Sequence, residues 1–381
     1  LTSLLDKMAH RREELARGGL LRQRRCFAAA PGRERLLHPV AHATDSGKPL
    51  LDFAANDYLG LARHPKVISA LAKGATLYGC GSGASPLVSG YSEAHLKLEQ
   101  GLCRALGAEA ALLFSCGFAA NTALMKTLFS AEDTVIADKL VHASMIDGLR
   151  DSKAKIRRFA HNDMAAATTL LARHPGSAVL TETVFSMDGD RAPLGKLSHL
   201  CQEHCSPLIL DDAHGFGLFE SSPLPVFARL VTFGKALGGQ GAAIVGSQEL
   251  IDYLVANARE YIYSTALSPA CCMGVLEALE LILQEPLLER LNANIALFRR
   301  SCQAAGISLM PSESPIQPLL VGESGRCMAL AARLLERGFL VGAIRPPTVP
   351  QGSARLRITL SAEHREQDIL ALASALAELM A

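Results

Sequence analysis

The stretch that most constrains the fold is Pro207-Leu208-Ile209-Leu210-Asp211-Asp212-Ala213-His214-Gly215-Phe216-Gly217. An apolar run stops abruptly in two acids, a histidine and glycines. A second stretch, Arg229-Leu230-Val231-Thr232-Phe233-Gly234-Lys235-Ala236-Leu237-Gly238-Gly239, repeats the pattern with a lysine just beyond the run. Short apolar runs bounded by glycine suit strands buried on both faces of a parallel sheet. Ligands of such sheets bind beyond the carboxyl ends of the strands. An acid, a histidine and a lysine are therefore offered to one crevice. An aromatic nitrogen heterocycle that must stay protonated wants the acid, and a carbonyl cofactor wants the lysine as a Schiff base. The pairing points to pyridoxal 5'-phosphate (PLP).

Composition narrows the class. A chain of 381 residues can bury a large core and divides naturally into one to three domains. No stretch approaches the roughly 18 consecutive apolar residues of a membrane helix, so no membrane partner is expected. The net charge of +1 implies no general attraction to nucleic acid, and the absence of Trp argues against a base-stacking surface. Ten cysteines at irregular spacings read as reduced thiols of a cytoplasmic protein. The run from His199 to Cys205 matches no standard metal-site spacing, so no metal is expected. The chain starts at Leu1, and residues 5–25 are rich in arginine, which superficially suggests a transit peptide. Asp6, Glu13 and Glu14 speak against that reading.

Periodicity and turn residues predict the elements. Residues 3–25 read as an amphipathic helix with Leu4, Leu5, Met8 and Leu15 on one broad face. A strand over Pro49–Phe53 and a turn over Asn56–Gly60 follow. A helix over 65–78 starts at Pro65, and a Gly/Ser-rich loop, Gly79 to Gly90, precedes a helix from near Ser92. His95, behind that start, reads as structural. Strands are predicted at Ala110–Phe114, Thr134–Ala137, Ser177–Thr181, 207–210 and Ala242–Val245. Between the first two, Ser115–Asn121 turns a strand into a helix. Such a junction presents free backbone N–H groups and a positive dipole end, a seat for a phosphate. Thr232, at a strand end three residues before Lys235, is placed to reach the same group. Helices near 270–284 and 287–303 lead to strands at 315–321, 339–343 and 354–359 and helices at 325–337 and 365–380, the pattern of a small α+β domain. The expected division is 1–45, a helical segment, 46–286, a large domain, and 287–381, a small one.

Asp211-Asp212-Ala213-His214-Gly215 followed by Thr232-Phe233-Gly234-Lys235 resembles the α-oxoamine synthase family of PLP enzymes. The resemblance extends from Asn56-Asp57-Tyr58-Leu59-Gly60 to Arg355-Leu356-Arg357. It implies an α/β fold, the PLP-dependent transferase fold type I, with a large mainly parallel-sheet domain and a smaller C-terminal α+β domain. It implies that Lys235 carries PLP, that Asp211 faces the pyridine nitrogen and that the imidazole of His142 stacks on the ring. Gly117, Phe118 and Ser186 match further cofactor contacts. The segment Ile262–Ala266 resembles one that crosses to the other subunit of a homodimer, which implies shared active sites with Thr265 at the phosphate. Asn56, Thr348, Arg357 and the N-terminal Arg22 match substrate contacts. Arg355 and Arg357 also recur with the ordinary alternation of a strand, and one of the two fits that reading. The chain departs from the family between His214 and Lys235. A longer connection with a Gly-Arg-Gly cluster is usual there, and this sequence has Phe219-Glu220-Ser221-Ser222-Pro223-Leu224-Pro225 instead.

The family condenses an amino acid with an acyl thioester and releases CO₂ and thiol. Gly81–Ser92 and Ile344–Pro350 look most like the branch that joins L-alanine to a pimeloyl thioester, on CoA or on a carrier protein. The branch that joins glycine to acetyl-CoA is the alternative. A catalytically silent subunit is disfavoured by the presence of Asp211, His214 and Lys235. A dinucleotide-binding oxidoreductase is disfavoured because no Gly-x-Gly-x-x-Gly stands between a strand and a helix.

Overall fold

The computed structural model describes residues 3–18, 20–22, 24–29, 34–38, 48–219 and 224–380. Contacts divide the chain into two compact units, Leu1–Ala55 with Met187–Gly189 and Leu291–Ala381, and Asn56–Ser186 with Asp190–Arg290. The chain begins in the first unit with α1 (Leu4–Arg17), β1 (Cys26–Ala29), β2 (Glu34–His38) and β3 (Lys48–Asp52). The second unit follows with α2 (Pro65–Tyr78), α3 (Glu93–Leu106), β4 (Ala110–Phe114), α4 (Gly117–Leu128), β5 (Thr134–Asp138), α5 (Ala143–Ser152), β6 (Lys155–Phe159) and α6 (Met164–Arg173). It continues through β7 (Ala178–Glu182), α7 (Leu194–Glu203), β8 (Leu208–Asp211), β9 (Ala228–Thr232), β10 (Ala242–Gly246), α8 (Gln248–Asn257), α9 (Arg259–Ile262) and α10 (Pro269–Gln284). Then come α11 (Leu287–Ala304), β11 (Ile316–Gly322), α12 (Ser324–Glu336), β12 (Phe339–Leu340), β13 (Gly342–Ile344), β14 (Ala354–Thr359) and α13 (Glu366–Met380). Among the described residues, no helix is long and apolar enough to cross a membrane.

The second unit is built on a seven-stranded sheet in the order β4-β10-β9-β8-β7-β5-β6. Strand β10 runs antiparallel to both neighbours, and the other pairings are parallel. The continuous apolar runs are explained by cores on both faces. Val135, Ala137, Leu180, Ile209 and Leu230 pack toward α4, α5 and α8. Ile136, Val179 and Leu208, one residue out of phase, pack toward α6 and α7. Strand β6 lies at the sheet edge, and Lys155, Arg157 and Arg158 show there why no apolar run announced it.

The first unit holds two sheets. One has the order β1-β2-β3-β12 and the other β11-β14-β13. The single strand predicted over 339–343 is two strands. Phe339-Leu340 pairs parallel with β3, and Gly342–Ile344 pairs antiparallel with β14, so the chain changes sheets at Val341. The predicted helix over 3–25 is also shorter. It stops at Arg17, where Gly18 takes the C-cap, and none of its residues is buried. Leu4 and Leu5 are each 74% exposed. Cys26–Ala29 and Glu34–His38, for which no element was predicted, form an antiparallel pair.

Two contacts in the second unit show how local chemistry sets tertiary position. His95 accepts from the Ser92 backbone N–H at 3.1 Å through Nδ1, closing the first turn of α3. Its Nε2 reaches the Leu267 carbonyl at 2.7 Å, which bears out the structural reading of this histidine. Gly74 on α2 faces α10 so closely that a Cβ there would lie 2.7 Å from the Ala270 Cα. Gly74→Ala would gain about 1 kcal/mol of helix propensity. It would also force two backbones apart, and overpacking costs about 1–3 kcal/mol. The expected result is a net destabilisation, read as a lower Tm and a lower midpoint in urea.

Candidate active site

The two apolar runs that lead to Asp211 and Thr232 end side by side. Asp211 closes β8 and Thr232 closes the adjacent, parallel β9. Lys235 follows Thr232, and its Nζ donates to Thr232 Oγ1 at 3.1 Å. Thr232 in turn donates to the Ala213 carbonyl at 3.4 Å. Asp211 is 4% exposed. Its Oδ2 accepts from Asn121 Nδ2 at 2.7 Å, and its Oδ1 accepts from the Ala213 backbone N–H at 3.0 Å.

From Asp211 a polar chain runs to His142. Asn121 Nδ2 also donates to Ser144 Oγ at 3.0 Å, and Ser144 Oγ lies 2.6 Å from His142 Nδ1. The Ser144 backbone N–H donates to the same Nδ1 at 3.3 Å. A nitrogen that accepts from a backbone N–H carries no proton, so the network assigns the His142 proton to Nε2. His142 is the N-cap of α5, which fixes its backbone. Phe118 meets its ring edge-on at 6.4 Å between centroids.

His214 is held from the other side. Its Nδ1 stands 2.6 Å from the Tyr58 hydroxyl, which is 3.3 Å from Asn56 Oδ1. Asn56, Tyr58 and His214 thus form one row, with Tyr58 and His214 buried.

Gly117 begins α4, and its position demands glycine. A Cβ there would lie 2.6 Å from Thr232 Cγ2. The first turn of the helix is therefore pressed against the end of β9, with Phe118 half exposed beside it. Ser186 lies half-buried in the turn after β7. That turn is clamped by His161, whose Nδ1 meets Asp138 Oδ1 at 2.9 Å and whose Nε2 meets Asp190 Oδ2 at 2.7 Å. Thr265 is exposed on the segment after α9. The Gly/Ser-rich loop is tied to this segment. Ala266 N–H donates to the Ala84 carbonyl at 2.9 Å, and Ser82 Oγ donates to the Ala266 carbonyl at 2.8 Å.

The remaining predicted contacts belong to the first unit. Arg22 donates to Thr348 Oγ1 at 3.4 Å, and Arg345 donates to the Leu21 carbonyl at 3.3 Å. Arg357 is buried in β14 and donates to Thr359 Oγ1 at 3.1 Å. Arg355, two residues away on the same face, forms an ion pair with Asp188. The pair gives Arg355 a structural partner and gives Asp188 a role in fixing its turn. The predicted departure over 219–225 falls partly outside the described residues, at 220–223.

Four residues near these groups were not foreseen: Tyr58, Asn121, Ser144 and Glu182. Asn121 carried a readable signal, since it lies four residues after Gly117 on the helix predicted to seat the phosphate. Glu182 also carried one, being the last residue of a parallel strand beside β8. The set suits a phosphorylated pyridine aldehyde: an amine, a buried carboxylate at the end of the adjacent strand, a hydroxyl, and a twelve-residue helix whose N-terminus is closed down to glycine.

Comparison with known proteins agrees with this chemistry. The class I and II aminotransferase family model matches residues 48–376. The 8-amino-7-oxononanoate synthase of Aeromonas hydrophila subsp. hydrophila is 46% identical over 376 residues, 95% of this chain and 92% of that protein. That of Stutzerimonas stutzeri is 44% identical over 393 residues, 99% of this chain and 97% of that one. Among solved structures, a lysine-to-alanine variant of a serine palmitoyltransferase from S. paucimobilis with a bound PLP–myriocin aldimine superposes with a TM-score of 0.91 at 25% identity, covering 99% and 98% of the two chains. The 8-amino-7-oxononanoate synthase of Francisella tularensis gives a TM-score of 0.75 at 30% identity, covering 86% of this chain and 97% of that one.

Two outcomes follow from the polar network. Asn121→Ala removes the 2.7 Å donor to Asp211. A lost bond to a buried charged group costs about 1.5–3 kcal/mol, so both Tm and the affinity for added PLP should fall, the latter read by absorbance titration. His161 has a pKa of about 9, because its bonds to Asp138 and Asp190 outweigh the downward pull of burial. A raised histidine stabilises fully below its ordinary value of 6.5 and loses that contribution as pH rises through about 9. His161→Ala should therefore lower Tm strongly at neutral pH and little at pH values above its folded pKa.

Proposed function

The chain belongs to the class I and II aminotransferase family and, within it, to the 8-amino-7-oxononanoate synthases, and from that premise we propose how it acts. The reaction is the decarboxylative condensation of L-alanine with a pimeloyl thioester to 8-amino-7-oxononanoate, CO₂ and free thiol, a step of biotin biosynthesis. The observation that carries the reading is near-full-length identity of 46% to a synthase of that name.

Bound PLP supplies an aldehyde for the amino group and an electron-withdrawing ring that stabilises negative charge at the amino-acid Cα. Lys235 Nζ is the amine that would hold the aldehyde, and the same nitrogen would serve as the base for the Cα proton. Its neighbour Thr232 orients it and would contact the phosphate. Asp211 holds the proton on the pyridine nitrogen, which a neutral amide could not do by charge. Tyr58 fixes the His214 imidazole, whose other nitrogen would then be available to the cofactor's phenolic oxygen. His142, with its proton on Nε2, would cover the ring and offer that proton to substrate. Gly117, Phe118 and Ser186 complete the cofactor seat. Thr265 reaches the phosphate bound by a second copy of the chain, so that a cytoplasmic homodimer with shared sites is the working form. Arg22, Asn56, Thr348 and Arg357 bind substrate, and the guanidinium fork of Arg357 suits a carboxylate.

A panel of L-alanine, glycine and L-serine against acetyl-, succinyl- and pimeloyl-CoA, followed by thiol release, tests the reading. L-alanine with the pimeloyl thioester should give the highest kcat/KM. Glycine should retain some turnover, since one methyl group is worth only about 1–3 kcal/mol. Lys235→Ala should lose activity, and borohydride should fix the cofactor on Lys235 in the wild type. A clear preference for glycine with acetyl-CoA would sink the substrate assignment, and a reduced adduct on another lysine would sink the assignment of Lys235.

A further inference from the structure

Beside Asp211 lies a second buried carboxyl group that the mechanism above leaves unused. Glu182 closes β7 and is the register partner of Asp211 across the parallel β7–β8 pair. Register partners on neighbouring strands stand about 4.8 Å apart and send their side chains to the same face. Glu182 follows Ala178 and Leu180 toward α4 and α5, the face shared with Ile209 and Asp211. It is 3% exposed. Its Oε1 has no hydrogen-bond partner among the described residues, and the His142 backbone N–H is the polar group that favours its charged form.

Neighbouring carboxyl groups at two such buried strand ends each disfavour the other's charge, and the donors around them decide which keeps the proton. Asp211 has a donor on each oxygen, Asn121 Nδ2 and the Ala213 N–H. Glu182 has one backbone donor. We propose that Glu182 is a positioning residue that carries the proton of this pair, so that Asp211 carries the charge, and that fixes His142 through its backbone N–H. The electrostatics agree. Burial first, and Asp211 second, raise the Glu182 pKa well above the ordinary value, with Asp138 adding. Lys235 and the His142 N–H pull the other way without reversing it.

The consequence is a site with its negative charge placed on the carboxylate that meets the ring nitrogen. An ionised Glu182 would add a second anion next to Lys235 and compete for the protons that Asp211 and Lys235 must hold. The proposal rests on the PLP reading of the site, so its test has an arm that does not use turnover. Infrared spectra of the holoenzyme carrying isotope-labelled glutamate are compared at neutral pH for the wild type and Glu182→Gln. The expected result is the carbonyl band of a protonated carboxylic acid in the wild type that the variant lacks. Glu99, whose pKa burial raises to about 7, is present in both proteins and cancels in the difference. A wild type without that difference band has an ionised Glu182, and the proposal is overturned.

The second arm compares two variants in kcat. Glu182→Ala removes the carboxyl group that faces Asp211 and the His142 backbone N–H, which should lower kcat by about tenfold or more. Glu182→Gln keeps a neutral acceptor and should recover most of that loss. Equal impairment of two variants that both fold, judged by circular dichroism, would also overturn the assignment. Failure of the PLP reading would look different: no cofactor absorbance in the wild type, with the carbonyl band unchanged.

Discussion

One buried charge sets the terms for the second unit. Asp211 sits at the end of a central strand with almost no access to water, where an unpaired carboxylate would be expensive. The compensating donors have to come from elements whose positions are fixed. Asn121 can reach Asp211 only because α4 starts at Gly117 and lies flat against β9. The Ala213 N–H can reach it only because the chain turns immediately after β8. The sheet order, the helix start and the turn are thus consequences of one requirement as much as they are its scaffold.

The doublet Asp211-Asp212 shows how the strand period sorts chemistry. Consecutive residues of an extended chain face opposite ways. Asp211 faces α4 and α5, and Asp212 is directed away and pairs with Arg229 at 3.1 Å. Burial raises the Asp212 pKa to about 6, against the pull of Arg229. Gly215 is required beside it, because a Cβ there would lie 2.4 Å from both Asp212 Oδ1 and Thr183 Cγ2. Asp212 therefore braces the turn that presents His214, while Asp211 faces the site.

Most of the large sheet was legible in the sequence because its strands are buried on both faces. Continuous apolar runs ending in Asp211 and Thr232 leave little choice of element or direction. Helix α2 was legible because Pro65 starts it. What escaped reading lacked that contrast. The edge strand β6 reads Lys155-Ile156-Arg157-Arg158-Phe159, with neither alternation nor an apolar run. The split of residues 339–343 between two sheets is a tertiary decision that no local pattern encodes. The chemical ends of the site were legible as residue types at strand ends. Its supports, Tyr58, Asn121 and Ser144, were not, since a single Tyr, Asn or Ser in a loop or helix has many ordinary uses.

The position of Lys235 depends on the one strand that breaks the parallel pattern. A lysine on a free loop would lose much rotamer and backbone entropy on being held at one point. Here the loop is already closed. The Phe233 N–H donates to the Gly241 carbonyl at 2.9 Å, and the Gly239 N–H donates to the Phe233 carbonyl at 2.7 Å. Gly238 adopts a φ of +61° and lies so near Ala62 that a Cβ would come within 2.1 Å of its backbone nitrogen. A parallel crossover after β9 would need a dozen or more residues and would carry the chain away from the strand end. The antiparallel return into β10 keeps the connection to nine residues, 233–241. The reversal of β10 is therefore what lets a flexible side chain be delivered from a rigid hairpin, three residues from the hydroxyl that orients it.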